Sequence, residues 1–320
     1  MMSGTPHSLT LSTGTPIPTL GLGTWQSAPD VVGAAVKAAI KAGYRLIDTA
    51  TCYQNEEAIG TAIQELIKEG VVKREELFIT TKAWTNELAP GKLESALEES
   101  LKRLKTDYVD LYLAHMPTAF NDDMTEKIAV SVEEIWKQFD AIHKKGLAKA
   151  VGVSNWNEKQ IKKALDLNLT PVHVSQVELH LYFPQNEHVA FCKKHNIIVT
   201  SYATLGSPGR VDFQLPNGGK LEWAPAPQDM EDQSVKDLAA KHGKTPAQIL
   251  LRHTLQRGLT MIPKSTNEAR IQENHDIFDF QLTHDDMAKL QGTQVLQRLF
   301  LQDFMEGHPE DAFADERVKK

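Results

Sequence analysis

Eight short apolar runs alternate along this chain with longer segments of helical period, and no other feature limits its possible folds so strongly. The pattern predicts strands over 19–24, 44–48, 77–81, 108–114, 148–153, 172–177, 197–202 and 259–262. The first helix is expected to start at Asp30 as N-cap, with Val32, Ala35, Val36 and Ala39 on one face. A second covers 55–68. Leu93, Ala96, Leu97, Leu101 and Leu104 mark a third, and Val132, Ile135, Trp136, Phe139 and Ile142 a fourth. Further helical segments fall at 157–167, 185–195, 233–242, 246–257, 267–275 and 283–291. Strand and helix in strict succession, joined by short connections, imply βα units and a parallel sheet. Eight such units favour an α/β fold of the (β/α)8 TIM-barrel type over an open doubly wound sheet. Leu9, Leu11 and Ile17 around Ser12, Thr13, Gly14 and Thr15 add an N-terminal hairpin. Without a break in composition, residues 1–320 read as one domain.

Composition excludes several alternatives. The net charge of −7 gives no electrostatic support for nucleic acid or an acidic membrane surface. No apolar run approaches the roughly 20 residues that span a bilayer, and the first residues lack the basic and apolar regions of a secretory signal. Cys52 and Cys192 are the only cysteines, a usage suited to a reducing compartment. A cytoplasmic protein that binds neither nucleic acid nor membrane is the expectation.

In such a barrel the active site forms at the C-terminal ends of the strands. The predicted ends carry Asp48, Lys82, His115, Ser154 with Asn155, Gln176, Tyr202 and Lys264. Each alone has a bland reading as a cap or solvated rim residue, but together they converge on one barrel mouth. Tyr53 lies close enough to Asp48 to turn back over the same mouth. A phenol titrates near 10, and a neighbouring ammonium favours the phenolate, so Lys82 is expected to lower the Tyr53 pKa while Asp48 holds Lys82. His115 would orient a substrate oxygen or assist proton transfer. Such a poised acid suits an oxygen gaining negative charge, as in carbonyl reduction.

Other chemistry has weaker support. Gly21-Leu22-Gly23 starts like a dinucleotide fingerprint but lacks the third glycine. No Walker loop, zinc spacing or nucleophile elbow is present, so no metal is expected. Cys52 reads as a small filler rather than a reactive thiol. For phosphate, Lys264, Ser265, Thr266 and Arg270 lie where a strand ends and a helix begins, a ready anion site. Leu205, Gly206 and Ser207 open a loop over 203–232 rich in glycine and proline, whose amides could wrap a pyrophosphate.

Taken together, these motifs resemble the aldo-keto reductase family. The matching stretches are Gly21-Leu22-Gly23-Thr24-Trp25, Asp48 through Tyr53 to Glu56, Val151-Gly152-Val153-Ser154-Asn155, Gln176-Val177-Glu178, Tyr202 with Leu205-Gly206-Ser207, and Ile262-Pro263-Lys264-Ser265. The resemblance implies a monomeric, cytoplasmic barrel that reduces aldehydes or ketones with NADPH. It implies a catalytic tetrad of Asp48, Tyr53, Lys82 and His115, with Tyr53 as proton donor. Ser154, Asn155 and Gln176 would hold the carboxamide and Tyr202 would stack on the nicotinamide. Lys264, Ser265, Thr266 and Arg270 would grip the 2′-phosphate, with Glu273 and Asn274 near the adenine. Gly23, Thr24, Trp25, Asp48, Leu205 and Ser207 complete the expected NADP(H) contacts. Trp25, Tyr53, Trp84, His115 and Met116 are the expected walls for a small carbonyl substrate. Met116 stands where the family commonly has Trp, Ser175 where it has Asn, and Leu181 where it has Pro. Two rivals stay open: a barrel that binds NADPH as a sensor, and an aldolase using Lys82 as a Schiff-base amine.

The stretch after residue 292 has no sustained period, yet holds Leu296, Phe300, Leu301, Phe304 and Phe313. So many aromatics are expected to dock, and the barrel mouth beside Trp25 and Trp84 is the expected place. Residues 315–320 read as solvated and mobile.

Overall fold

The computed structural model describes residues 7–214, 221–291 and 295–317. The chain begins with an antiparallel hairpin of β1 (Ser8–Thr10) and β2 (Pro16–Pro18), with Leu9 opposite Ile17. The barrel strands that follow are β3 (Gly21–Gly23), β4 (Leu46–Asp48), β5 (Phe78–Ala83) and β6 (Val109–Ala114). After a second small hairpin, β7 (Ala119–Phe120) and β8 (Lys127–Ile128), come β9 (Ala148–Ser154), β10 (Val174–Glu178), β11 (Ile198–Tyr202) and β12 (Thr260–Met261). The eight barrel strands are all parallel, each beside its neighbour in chain order. Parallel bridges from Leu20 to Met261 and from Gly23 to Lys264 close the ring. A Cβ at Gly23 would lie 2.4 Å from the Ile262 carbonyl oxygen, so the closing seam needs glycine there. The two glycines that resemble a nucleotide fingerprint therefore lie within a barrel strand.

Side chains alternate between barrel interior and helix layer, as the strand period of two requires. Leu46, Phe78, Leu111, Leu113, Ala150, Val174 and Ile262 form the inner cluster, and Leu11 and Ile17 from the N-terminal hairpin join it. Ile47, Ile79, Tyr112, Val151 and Val177 face outward into the larger cluster shared with the helices. Continuing the inward parity towards the C-terminal ends places Asp48, Lys82, His115, Ser154 and Gln176 on the inside at the mouth.

The helix layer comprises α1 (Pro29–Ala42), α2 (Glu56–Lys68), α3 (Leu93–Leu104), α4 (Val132–Lys145), α5 (Glu158–Asp166) and α6 (Asn186–Lys194). It continues with α7 (Gln233–His242), α8 (Pro246–Gln256), α9 (Glu268–His275) and α10 (His284–Gln291). Ser131, Asn157, Thr245 and Asn267 cap their helices through side-chain oxygens. The cap expected at Asp30 is displaced: Ala28 is the N-cap and Pro29 occupies the first turn. Proline's fixed φ suits that position, and the Asp30 charge still favours the helix start. Leu238, Ile249, Leu250, Leu282 and Leu290 pack α7 and α10 onto α8 outside the barrel.

The tail docks as expected. Met305, Ala312 and Phe313 share a buried cluster with Met116, bordered by Trp84, Leu301 and Phe304. One expectation fails in part. Asp315 is exposed as expected, but Glu316 pairs with Arg298 and α11 (Ala314–Arg317) ends in an anchored arginine. Arg317 pairs with Asp311 and Asp303, each at 2.8 Å, and donates to the Leu301 carbonyl at 2.6 Å. Charge suggested solvation from the sequence, but partners up to 16 residues away hold the side chain here. Residues 318–320 lie outside the described residues.

Candidate active site

Lys82 is the centre of the mouth. Its side chain has no solvent exposure, and its ammonium donates to Asp48 Oδ1 at 2.5 Å, to the Thr49 carbonyl at 2.9 Å and to Tyr53 Oη at 3.3 Å. A buried charge costs several kcal/mol unless paired and hydrogen-bonded, and here all three ammonium protons have acceptors. Asp48 is held in turn by the Gln176 amide, which donates to Oδ2 at 2.8 Å. Strand parity brings these groups together: Asp48 ends β4, and Lys82 lies inside β5, which runs two residues further than the sequence pattern suggested.

Tyr53 reaches the mouth from a short 3-10 turn, Thr51–Tyr53, directly after β4. The Thr51 hydroxyl donates to the Lys82 carbonyl at 3.0 Å and ties that turn to β5. Burial and then the Asp48 charge push the Tyr53 phenol well above its ordinary value. This reverses the expected lowering by Lys82, because the ammonium's charge is already matched by Asp48. Tyr53 is therefore a neutral phenol that carries its proton throughout the physiological range. His115, one residue past β6, contacts Tyr53 and Trp84 edge to face, at centroid distances of 5.6 and 5.0 Å. Burial, aided by the Lys82 charge, holds its pKa well below 6.5, so the ring is a neutral imidazole. Cys52 Sγ lies 3.6 Å from His115 Nδ1, and burial keeps that thiol protonated.

Further around the mouth, Ser154 ends β9 and Asn155 follows in left-handed backbone conformation at φ 60°, which asparagine tolerates better than most residues. The Asn155 amide donates to the His115 carbonyl at 3.0 Å and to Ser154 Oγ at 3.1 Å. Its Oδ1 accepts from the Tyr202 hydroxyl at 2.7 Å, fixing that ring at the end of β11. Gln176 lies in the middle of β10 rather than at its end, and the strand finishes on Glu178. Thr24 donates to the Asp48 carbonyl at 2.8 Å.

Except for Lys82, which lies beneath its floor, every residue expected to touch cofactor or substrate lines one cleft of about 1950 Å³. That exceeds the roughly 300–1,000 Å³ of an ordinary small-molecule pocket and leaves room for two ligands. At one end are Lys264, Ser265, Thr266, Arg270, Glu273 and Asn274, around the start of α9. Among the described residues neither Lys264 nor Arg270 has a carboxylate partner within 4.0 Å, and burial lowers the Lys264 pKa. Two unpaired cations beside a helix N-terminus suit a phosphate. Glu273 is already engaged, accepting from the Thr245 hydroxyl at 2.9 Å.

Met116 is only 2% exposed and packs against the tail, so it is as much a prop for the tail as a cleft wall. Several lining residues were not singled out from the sequence as cofactor or substrate contacts. Phe300 touches Trp25, Tyr202 and Trp223 at centroid distances of 5.7, 5.8 and 5.4 Å. Phe213 packs on Trp25 at 5.4 Å, and Phe304 on Trp84 at 5.5 Å. Phe300 and Phe304 had a signal in the aromatic tail, whereas Phe213 and Trp223 had only their place in a long loop.

An eight-stranded parallel barrel with a buried Asp–Lys–Tyr arrangement and a neutral histidine at its mouth defines a class of barrel equipped for proton transfer to an oxygen. Comparison with known proteins narrows that class. The family model described as aldo/keto reductase family matches residues 19–294, and the chain belongs to that family. It is 42% identical to aldo-keto reductase family 1 member A1 of Gallus gallus, over 90% of this chain and 88% of that one. It is 40% identical to prostaglandin F synthase 2 of Bos taurus, over 94% and 95% of the two chains. Among solved structures, the aldose reductase of Schistosoma japonicum superposes with a TM-score of 0.87 at 36% identity, covering 97% of this chain and all of that one. The family is one of oxidoreductases that reduce carbonyls to alcohols, generally with NADPH. No helix among the described residues is long and apolar enough to cross a membrane.

Proposed function

We propose that this chain is a monomeric, cytoplasmic NADPH-dependent reductase of small aldehydes or ketones, built as one cofactor-binding barrel domain, with Tyr53 as proton donor. The fully buried Lys82 ammonium, bonded to both Asp48 and Tyr53, is the observation that carries this reading.

The residues present fit the cofactor. Ser154, Asn155 and Gln176 offer the hydroxyl and amides that a carboxamide needs, and Tyr202, fixed by Asn155, presents a ring for the nicotinamide. Gly23, Thr24, Trp25, Leu205 and Ser207 line the cleft between that end and the phosphate end. Lys264 and Arg270, with Ser265 and Thr266, supply charge for a 2′-phosphate, and Glu273 and Asn274 border the adenine. Bound NADPH supplies a hydride, and the protein must supply the matching proton.

Tyr53 holds that proton because burial keeps its phenol neutral. As the carbonyl oxygen gains negative charge, the Tyr53 O–H donates to it, and the new phenolate faces Lys82 at 3.3 Å. The ammonium stabilises the phenolate, and Asp48 and Thr49 keep the ammonium in place. A protonated Cys52 thiol donating to His115 Nδ1 leaves Nε2 as the N–H, so the neutral ring orients the carbonyl as a hydrogen-bond donor. His115 does not act as an acid, because its imidazolium is strongly disfavoured.

The aldolase reading has less support. A Schiff-base lysine needs a free amine that substrate can reach, whereas Lys82 is unexposed and donates all three protons. A sensor without turnover would have little need for a neutral phenol on a buried ammonium. Consumption of NADPH against a panel of aldehydes, ketones and sugars tests the proposal. Oxidation coupled to one carbonyl class supports it, and NADPH binding without turnover on any of them favours the sensor.

A further inference from the structure

Beyond the catalytic groups, the mouth holds a second buried charged cluster between two walls that also meet at the Trp223–Phe300 ring contact. Glu178, the last residue of β10, is fully buried. Its Oε1 accepts from the Leu299 backbone N–H at 2.5 Å, and its Oε2 from that of Phe300 at 2.9 Å. Arg298, next to them, lies 3.8 Å from Glu178 Oε2 and makes a two-pronged pair with Glu316 at 2.6 and 2.7 Å. One carboxylate thus fixes the backbone that carries Phe300, the ring touching Trp25, Tyr202 and Trp223.

The second wall comes from the described residues 203–214 and 221–232. There Asp229, 1% exposed, accepts from the Leu181 N–H through Oδ2 at 2.9 Å. Its carboxylate lies against Gly206, where a Cβ would come within 2.4 Å of Oδ1, and Gly206 has φ +74°. Gly206 sits between Leu205 and Ser207, the pair assigned to the cofactor. His180 stands between the walls, 3% exposed, with Nε2 3.0 Å from Glu178 and Nδ1 3.3 Å from Asp229. Two buried carboxylates facing each other would repel, and the imidazolium between them turns that repulsion into attraction on both sides.

We propose that His180 is a positioning residue that locks the cofactor loop and the C-terminal tail together, so that the grip on NADPH and the aromatic substrate wall form as one unit. The inference rests on the cofactor reading above. Its consequence is reciprocal coupling: binding that orders the 205–210 turn must also order the backbone at Leu299 and Phe300. Without His180, Glu178 would hold the tail and Asp229 the loop, and the two would keep the Trp223–Phe300 ring contact but lose the charged link between the two carboxylates.

Hydrogen exchange on the full chain, with and without NADPH, tests this. Tryptophan quenching first establishes that the cofactor binds. In the wild type, NADPH should slow amide exchange both in 205–210 and at Leu299 and Phe300. In His180→Gln, which keeps a hydrogen-bonding side chain but no charge, NADPH should still protect 205–210 while protection at Leu299 and Phe300 is lost. The same variant should release NADPH about tenfold faster, as expected for losing a charged hydrogen bond. It should raise KM for the carbonyl with little change in single-turnover hydride transfer, a split that general destabilisation would not produce. If His180→Gln does not fold, Asp229→Asn should show the same loss of tail protection. Absence of quenching in the wild type overturns the cofactor reading itself. Quenching with protection confined to 205–210 in the wild type overturns the coupling alone. Tail protection that survives in the variant removes His180 from the role.

Discussion

Replacing Tyr53 by Phe separates binding from chemistry more sharply than any other change at this site. The lost hydroxyl contacts Lys82 at 3.3 Å, and the ammonium keeps its bonds to Asp48 and the Thr49 carbonyl. No buried charge is stranded, so the folding cost should be about 1 kcal/mol or less, the net worth of one ordinary hydrogen bond. The ring fills the same space, and the Tyr202–Asn155 bond and the Lys264–Arg270 end of the cleft are untouched. NADPH affinity, read by tryptophan quenching, should therefore stay nearly constant. The chemical step should lose the roughly 10²–10⁴-fold assigned to a positioned acid, which is about 3–5 kcal/mol of barrier. The assay is kcat from the loss of reduced-nicotinamide absorbance at saturating cofactor, with Tm as the folding control. Because the phenol titrates well above its usual value, wild-type kcat should show no loss from Tyr53 ionisation up to about pH 9. Near-normal kcat in the variant, with unaltered Tm, would refute Tyr53 as the proton source.

Three further outcomes are expected. Arg270→Met should weaken NADPH by roughly 1.5–3 kcal/mol, the worth of a charge-assisted bond, and NADH much less; equal losses measured for both cofactors would make Arg270 structural. Met116→Trp should lower Tm by overpacking the Met305–Phe313 cluster, at about 1–3 kcal/mol, and reorder bulky against small substrates; an unchanged Tm would mean that the wall has slack. The third concerns pH. His180 faces Glu178 on one side and Asp229 on the other, with Arg298 beyond Glu178, and its pKa is raised to about 9. A raised histidine stabilises fully below its unfolded value of 6.5 and loses that contribution as pH rises through 9. The loss is on the order of 3 kcal/mol, so Tm should fall between about pH 7 and 10 in the wild type and less in His180→Gln; parallel pH profiles would sink the assignment.

Much of the site was legible because strand geometry is local. A period of two dictates that Asp48 points the same way as Leu46, and Lys82 the same way as Phe78, so an apolar run ending on a polar residue announces a barrel-mouth side chain. Helices α2, α3 and α4 were equally plain, since their apolar faces repeat at helical spacing. The hairpin β7–β8 was not, because two-residue strands carry no periodicity to read.

The sequence by itself therefore determined the order of strands and helices, the inward parity of Asp48 and Lys82 and the presence of two cations, Lys264 and Arg270, around the start of α9. Each follows from backbone period or from residue type within a few positions. Only the tertiary structure decided the direction of the Tyr53 pKa, because burial and the competing charge of Asp48 depend on how completely the barrel closes over the phenol. It alone decided that Arg317 is anchored and that Glu178 binds backbone more than a hundred residues away. Charge, burial and hydrogen bonding act through space, and chain separation says nothing of distance once the barrel has closed.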